Sequence, residues 1–269
     1  LHGWMGLQGW QWLFILEAVP PIVMSVVVYF WLTDKPADAT WLRADQRSWL
    51  TARIAEEEAQ REAVHRYELS EALRNPRVWW LTLIYFGQNV SNYGLLIFLP
   101  QIVKAFGIST EMTGLVSTIP FIFAAFAMIL WGHLSDRSGR RTTYLASACL
   151  VCAAGLAACI FIGIEQPVLI MVALVVGVMG QQAIAPTFWA LPTAMLSGAA
   201  AAGGIALINS VGNLGGFVGP YMYGLIKDAT GGNNMIALLA LAAWPVIAAI
   251  VAIALGHDKR LEQRTKAAA

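Results

Sequence analysis

The sequence predicts an all-α membrane protein, a bundle of seven transmembrane helices. Three observations carry that expectation. Of 269 residues, 58% are hydrophobic and only 12% are charged, with a mean hydropathy of +0.62; soluble domains run about 45–50% apolar and about 25% charged. The apolar residues come in seven runs, each close to the roughly 20 residues a helix needs to cross a bilayer. Six of the seven runs contain no Lys, Arg, Asp or Glu. Inside lipid every backbone polar group must bond within the protein, which makes helices the spanning structure for runs of this length. The net charge of +1 gives no reason to expect a nucleic-acid partner.

The first span, residues 12–32, follows the aromatic-rich opening "LHGWMGLQGWQW", a composition suited to a membrane–water boundary. It carries Glu17, the one acid inside any span. The chain opens on Leu1 with no basic, short-cored leader, and reads as a piece that begins inside a larger protein. Residues 33–77 read as a linker. A proline break at Pro36 precedes a helical stretch that Thr40 or Asp38 could cap. Trp41, Leu42, Trp49, Leu50 and Ile54 form a loose apolar stripe suited to the membrane surface or the underside of the bundle. A solvated connector between two halves explains the same residues, because nine acids match the linker's eight bases.

Six further spans follow, at 78–99, 112–131, 143–163, 168–191, 204–226 and 235–256, and then a tail, 257–269. Seven crossings put the chain ends on opposite sides, and basic residues decide which side is cytoplasmic. The linker, the turn at 132–141 and the tail hold 15 of the 17 bases, leaving Lys104 and Lys227 for the other face. The C-terminus is therefore expected in the cytoplasm. Cys149, Cys152 and Cys159 share one apolar run and read as small buried packing residues rather than a redox pair. No metal-ligand cluster, nucleophile–base pair or phosphate loop is visible, and His2, His65, His133 and His257 lie outside the apolar cores. An enzyme, a cofactor and a metal are not expected.

The turn "WGHLSDRSGRR", residues 131–141, holds more than a topology anchor needs. Gly132 allows close helix approach, and Gly139 permits a tight turn. Asp136 stands at a helix end, where it favours a neighbouring helix N-terminus. Arg137, Arg140 and Arg141 can pair with it or with lipid headgroups. The pattern G-x-L-S-D-R-x-G-R-R, Gly132 to Arg141, resembles the loop signature of the major facilitator superfamily of transporters. "GWQWLFILEAVP" at the start and "FWALPTAMLSGAAAAGGIALINSVGNLGGFVGPYMYG", residues 188–224, are similar to two regions of its anion:cation symporter family.

The resemblance implies that residues 1–32 end an N-terminal half, that 33–77 is the cytoplasmic linker, and that 78–256 is a C-terminal six-helix half with inverted three-helix repeats. It implies secondary transport of organic anions, carboxylates or sugar acids, with a coupling proton, in the plasma (inner) membrane. The partners would be that solute, the proton, the lipid bilayer and the missing N-terminal half. A membrane receptor or sensor that keeps the fold without transport is the competing class.

Polar residues inside spans are costly and mark pathways. In "LTLIYFGQNVSNYGLL" a 3.6-residue period puts Thr82, Tyr85, Asn89, Asn92 and Tyr93 on one face, with Gln88 at its edge. The fifth span offers Gln181, Gln182 and Trp189, interrupted by Pro186. Each of these spans would open a three-helix repeat, where paired binding helices are expected. Asn209 and Asn213 on the sixth span could reach the same cavity. Gly212, Gly215, Gly216 and Gly219 there read as packing residues, with a bend at Pro220. Interhelical hydrogen bonding without solute contact is the alternative role for all these polar groups. Asp136 and the three arginines are expected to latch the cytoplasmic helix ends, and Glu17 either couples a proton or positions its helix.

Overall fold

The computed structural model describes residues 3–64, 74–162, 165–195 and 198–256. The chain divides into two compact units, Leu1–Val64 and His65–Ala269. The first contains α1 (Gly9–Trp31) and α2 (Ala44–Val64). A short 3-10 turn at Trp4–Gly6 precedes α1, and Trp4 stacks on Trp12 with ring centroids 4.7 Å apart. α1 has Pro20 and Pro21 in its interior, and none of its residues is buried. α2 begins later than a cap at Thr40 or Asp38 would place it. Pro36–Asp38 form a 3-10 turn of their own, and Asp45 supplies the acid of the first helical turn. Trp41 and Trp49 are exposed, while Leu42 and Leu50 are half-buried. Linker residues 65–73 and the basic tail, 257–269, lie outside the described residues.

The second unit contains α3 (Pro76–Lys104), α4 (Thr110–Ser138), α5 (Arg141–Ile162), α6 (Pro167–Met195), α7 (Gly198–Gly212), α8 (Gly215–Ala229) and α9 (Asn234–Leu255). The described residues of both units are helix, turn or coil. The starts are encoded locally. Asn75 Oδ1 accepts the Arg77 amide 3.0 Å away with Pro76 as the first helical residue, and Ser109 and Asn233 cap α4 and α9 in the same way.

Five described helices are long and apolar enough to cross a membrane: α1, α4, α5, α6 and α9. The other two expected spans differ for physical reasons. α3 has the length, at 29 residues, but Gln88, Asn89, Ser91 and Asn92 dilute its apolar character. The sixth span is two helices of 15 residues each, parted at Asn213 and Leu214. The interruption is not at Pro220, which sits inside α8.

Two apolar clusters form the core, one above the other. The first joins Leu81 and Ile84 of α3, Leu145 of α5, Ile184 and Phe188 of α6, Ile208 of α7 and Ala249 of α9. The second joins Leu95 and Leu99 of α3, Leu156 of α5, Leu174 of α6, Tyr223 of α8 and Leu238 of α9. Chain direction follows: α3, α5 and the α7–α8 pair run from the first cluster to the second, whereas α6 and α9 run back. Residues 88–89, 181 and 212–214 fall between the clusters, at mid-height.

The helix pairs also repeat. α3 packs on α7, α8 and α9, α6 packs on α4 and α5, and α5 packs on α9. Exchanging α3, α4 and α5 for α6, α7–α8 and α9 maps these interfaces onto one another. Small residues set the closest ones. A Cβ on Gly155 or Gly180 would run into the backbone of the facing helix, at Gly177 and Cys152 respectively, so α5 and α6 touch backbone to backbone. Gly215 and Gly219 lie equally close to the Phe86 and Val90 carbonyls, which brings α8 onto α3.

Candidate functional site

The polar residues of α3 take three different places. Thr82 is buried and donates to the Val78 carbonyl at 2.8 Å, a local bond within its own helix. Gln88 and Asn89 are buried, at 5% and 4% exposure. Tyr85 and Asn92 are half-buried, and Tyr93 is exposed. Tyr85 stacks on Phe188 at 5.3 Å and meets Trp189 edge-on at 5.0 Å. Its ring fills the notch left by Gly212, where a Cβ would collide with it.

Asn89 reaches the break in the sixth span. Its Nδ2 donates to the Gly212 carbonyl at 3.1 Å and to Asn213 Oδ1 at 3.2 Å. Asn213 Nδ2 donates in turn to Asn209 Oδ1 at 2.8 Å. Asn209 and Asn213 are exposed on the surface of this unit. Tyr93 stands next to them, since a Cβ on Gly216 would lie 3.0 Å from its ring. The structure thus brings Asn89, Asn209, Asn213 and Tyr93 to one place.

Gln181 goes elsewhere. It is 1% exposed, its Nε2 donates to the backbone carbonyl of Gln88 at 3.1 Å, and its Oε1 accepts from Cys152 Sγ at 3.2 Å. It ties α3, α5 and α6 together through buried bonds. Gln182, its neighbour, is half-buried, as is Trp189. This amide-to-carbonyl bond has no signature in the sequence; the buried cysteine beside it was the available hint. Cys149, Cys152 and Cys159 are buried free thiols, as expected of packing residues.

The turn between α4 and α5 forms a compact corner. Gly139 ends α4 with φ 69°, a left-handed conformation that suits glycine, and its N–H donates to the Ser135 carbonyl at 3.0 Å. Arg141 Nη2 lies 3.9 Å from Asp136 Oδ1, and Arg141 Nη1 donates to the Ala190 carbonyl of α6 at 2.9 Å. Arg137 and Arg140 are exposed. Gly132 has ordinary clearance, with a Cβ meeting Pro186 Cβ at 3.7 Å, so the α4–α6 approach there does not require glycine. Glu17 is exposed on α1, in the first unit. Among the described residues, no group of three or more His, Cys, Asp or Glu side chains is placed to hold a metal.

A bundle of long apolar helices with a polar seam at mid-height fits a multi-pass membrane protein. Residues 1–220 and residues 81–269 each match the profile of the Major Facilitator Superfamily, and the chain belongs to that superfamily, whose members are transporters rather than enzymes. It is 44% identical over 98% of its length to a putative tartrate transporter of Agrobacterium vitis, covering 59% of that protein. It is 35% identical to the inner membrane transport protein RhmT of Escherichia coli, over 98% of this chain and 60% of the other. A quinolone resistance transporter of Acinetobacter baumannii is 34% identical over 99% of this chain and 61% of its own length. The chain spans about three-fifths of the length of these relatives.

Proposed function

We propose that the protein containing this chain is a secondary transporter that carries small organic anions, carboxylates or sugar acids, by proton-coupled symport with alternating access. The observation that carries this reading is the exposure of Asn209 and Asn213 at a helix break half-way through the bundle. At that depth polar side chains facing lipid are costly. Unwound backbone is tolerated there only against protein or a water-filled cavity. The face that bears them therefore fits a wet path, with Tyr93 against Gly216 and Tyr85 between Gly212 and Trp189 beside it; half-buried Asn92 and Gln182 complete the proposed set.

The substrate class rests on the relatives named as tartrate transporters at 44% identity. The opposed directions and exchangeable interfaces of α3–α5 and α6–α9 support two inverted three-helix repeats, and with them a C-terminal half spanning residues 78–256. No Lys, Arg, Asp or Glu lies in the predicted spans of that half. The cation that meets the carboxylate would then come from the part of the relatives this chain does not match, and Glu17 is the candidate for proton coupling. Asp136, Arg137, Arg140 and Arg141, with Gly132 and Gly139, form the cytoplasmic latch of this reading, at the inner face of the inner membrane.

The test is uptake of labelled tartrate and a panel of other organic acids by the full-length protein in proteoliposomes. An inward proton gradient should accelerate uptake of at least one acid, and a protonophore should abolish the acceleration. A protein that binds an acid yet moves none of the panel would be the sensor, which needs no lined path.

A further inference from the structure

We propose that Asn89 is a positioning residue: it holds the break between α7 and α8 and so sets where Asn209 and Asn213 stand. In an unbroken helix the Gly216 N–H would donate to the Gly212 carbonyl. Here it donates to Asn213 O at 2.9 Å. The Gly212 carbonyl is then left without its helical donor at mid-height, where an unmet carbonyl is expensive. Asn89 Nδ2 supplies the missing donor at 3.1 Å, and its second proton goes to Asn213 Oδ1 at 3.2 Å. With 4% exposure and both amide protons committed to the break, Asn89 reaches a solute only through the residues it holds.

The two sides of the break are anchored differently. The α8 side is clamped by backbone contact, because Gly215 and Gly219 leave no room for a Cβ against Phe86 and Val90. The α7 side meets α3 through the Tyr85 ring in the Gly212 notch and through the Asn89 amide. Loss of that amide frees α7 to turn against a fixed α8. A solute that hydrogen-bonds Asn209 or Asn213 draws on the same short chain of amides, so binding alters the angle of the break. This last step rests on the transporter reading; the hinge itself does not.

The experiment uses the full-length protein in nanodiscs with spin labels at exposed positions on each side, Ala206→Cys on α7 and Leu225→Cys on α8. Asn89→Asp keeps the shape and removes both N–H donors, and Asn89→Leu removes them without adding charge. Both should broaden the 206–225 distance distribution at least twofold or shift its centre. Asn213→Ala, which leaves the Gly212 bond intact, should keep the parent width. With labelled tartrate as probe, Asn89→Leu should lower kcat/KM about fivefold, the worth of roughly one hydrogen bond. Distributions that superimpose on the parent in both Asn89 variants overturn the proposal, as does an Asn213→Ala distribution as broad as theirs. If the full-length protein takes up no tartrate, the transporter reading is in trouble, and the spin-label result still decides the hinge.

Discussion

Among the three arginines of the 131–141 turn, Arg141 is the one drawn inward, with 19% of its side chain exposed against 63% for its partner Asp136. That difference ranks two substitutions. The Asp136 pair is long at 3.9 Å and wet, so breaking it costs about 0–1 kcal/mol. The Arg141 bond to the Ala190 carbonyl is charged, short and partly buried, and such bonds are worth about 1.5–3 kcal/mol. Arg141→Ala should therefore lower the thermal stability of the purified protein clearly, and Asp136→Asn hardly at all. Asp136→Asn should act on the balance of states instead, reducing labelling of a cysteine introduced on the outward face and the transport rate; if labelling of introduced cysteines on both faces matches the parent, the turn is an anchor alone. On the proposed path, Tyr93→Phe removes the hydroxyl of an exposed side chain and keeps its ring. Apparent KM for a transported acid should rise about twofold to tenfold while membrane insertion stays unchanged. The sequence marked these residues by type and spacing. It could not show that Gln181 spends its amide on the Gln88 carbonyl or that Arg141 alone reaches α6, because both partners are backbone oxygens with no sequence signature.

Helix interfaces in lipid depend on how closely backbones approach, and the glycines of this chain differ widely in that respect. Gly180 faces the Cys152 backbone with no room for a methyl group, whereas Gly132 has 3.7 Å of clearance to Pro186. Gly180→Ala should destabilise the bundle by about 1–3 kcal/mol through overpacking, and Gly132→Ala should leave detergent-solubilised stability within about 0.5 kcal/mol. A thermal shift of equal size in both would contradict the backbone-to-backbone contact of α5 and α6. Elements were legible where periodicity or a cap wrote them: α4 and α9 start within two residues of the predicted apolar runs, at the Ser109 and Asn233 caps, whereas α4 runs on to Ser138, past the predicted end at 131. The break at Asn213–Leu214 was not legible. Pro220 is the conspicuous helix breaker, yet it is accommodated inside α8. The actual interruption falls where Gly212, Gly215 and Gly216 remove side-chain support and Asn89, 123 residues away, supplies the replacement donor. A break stabilised by a long-range bond leaves only a glycine cluster in the local sequence, and that cluster reads equally well as packing.

On the scale of the second unit, the chain alternates direction, and both of its ends carry basic residues held in different ways. The apolar runs made the alternation legible in advance; the exchange of α3–α5 with α6–α9 was expected only from the family resemblance, since no repeat is visible residue by residue and the match lies in which helices touch. One end holds the α4–α5 corner with Arg137, Arg140 and Arg141. The other holds Lys104 and Lys227, both tied down: Lys104 Nζ donates to the Ile108 carbonyl at 3.1 Å, and Lys227 Nζ donates to Gln101 Oε1 at 3.0 Å. Free basic side chains resist translocation, and the arginine end should therefore remain in the cytoplasm while the lysine end crosses. Each lysine also lies in the last turn of its helix, α3 or α8, where a cation is favoured by the helix dipole whichever side it faces. Two exposed positions report the outcome, Ser138 beside the arginines and Ala229 at the end of α8. In intact cells, a membrane-impermeant maleimide should label Ala229→Cys and spare Ser138→Cys, and inverted vesicles should show the reverse. Labelling of both from one side would mean that the unit does not span as a whole. Labelling of Ser138→Cys alone from outside would mean that the bundle sits the other way up, with the tethered lysines, rather than the exposed arginines, deciding its orientation.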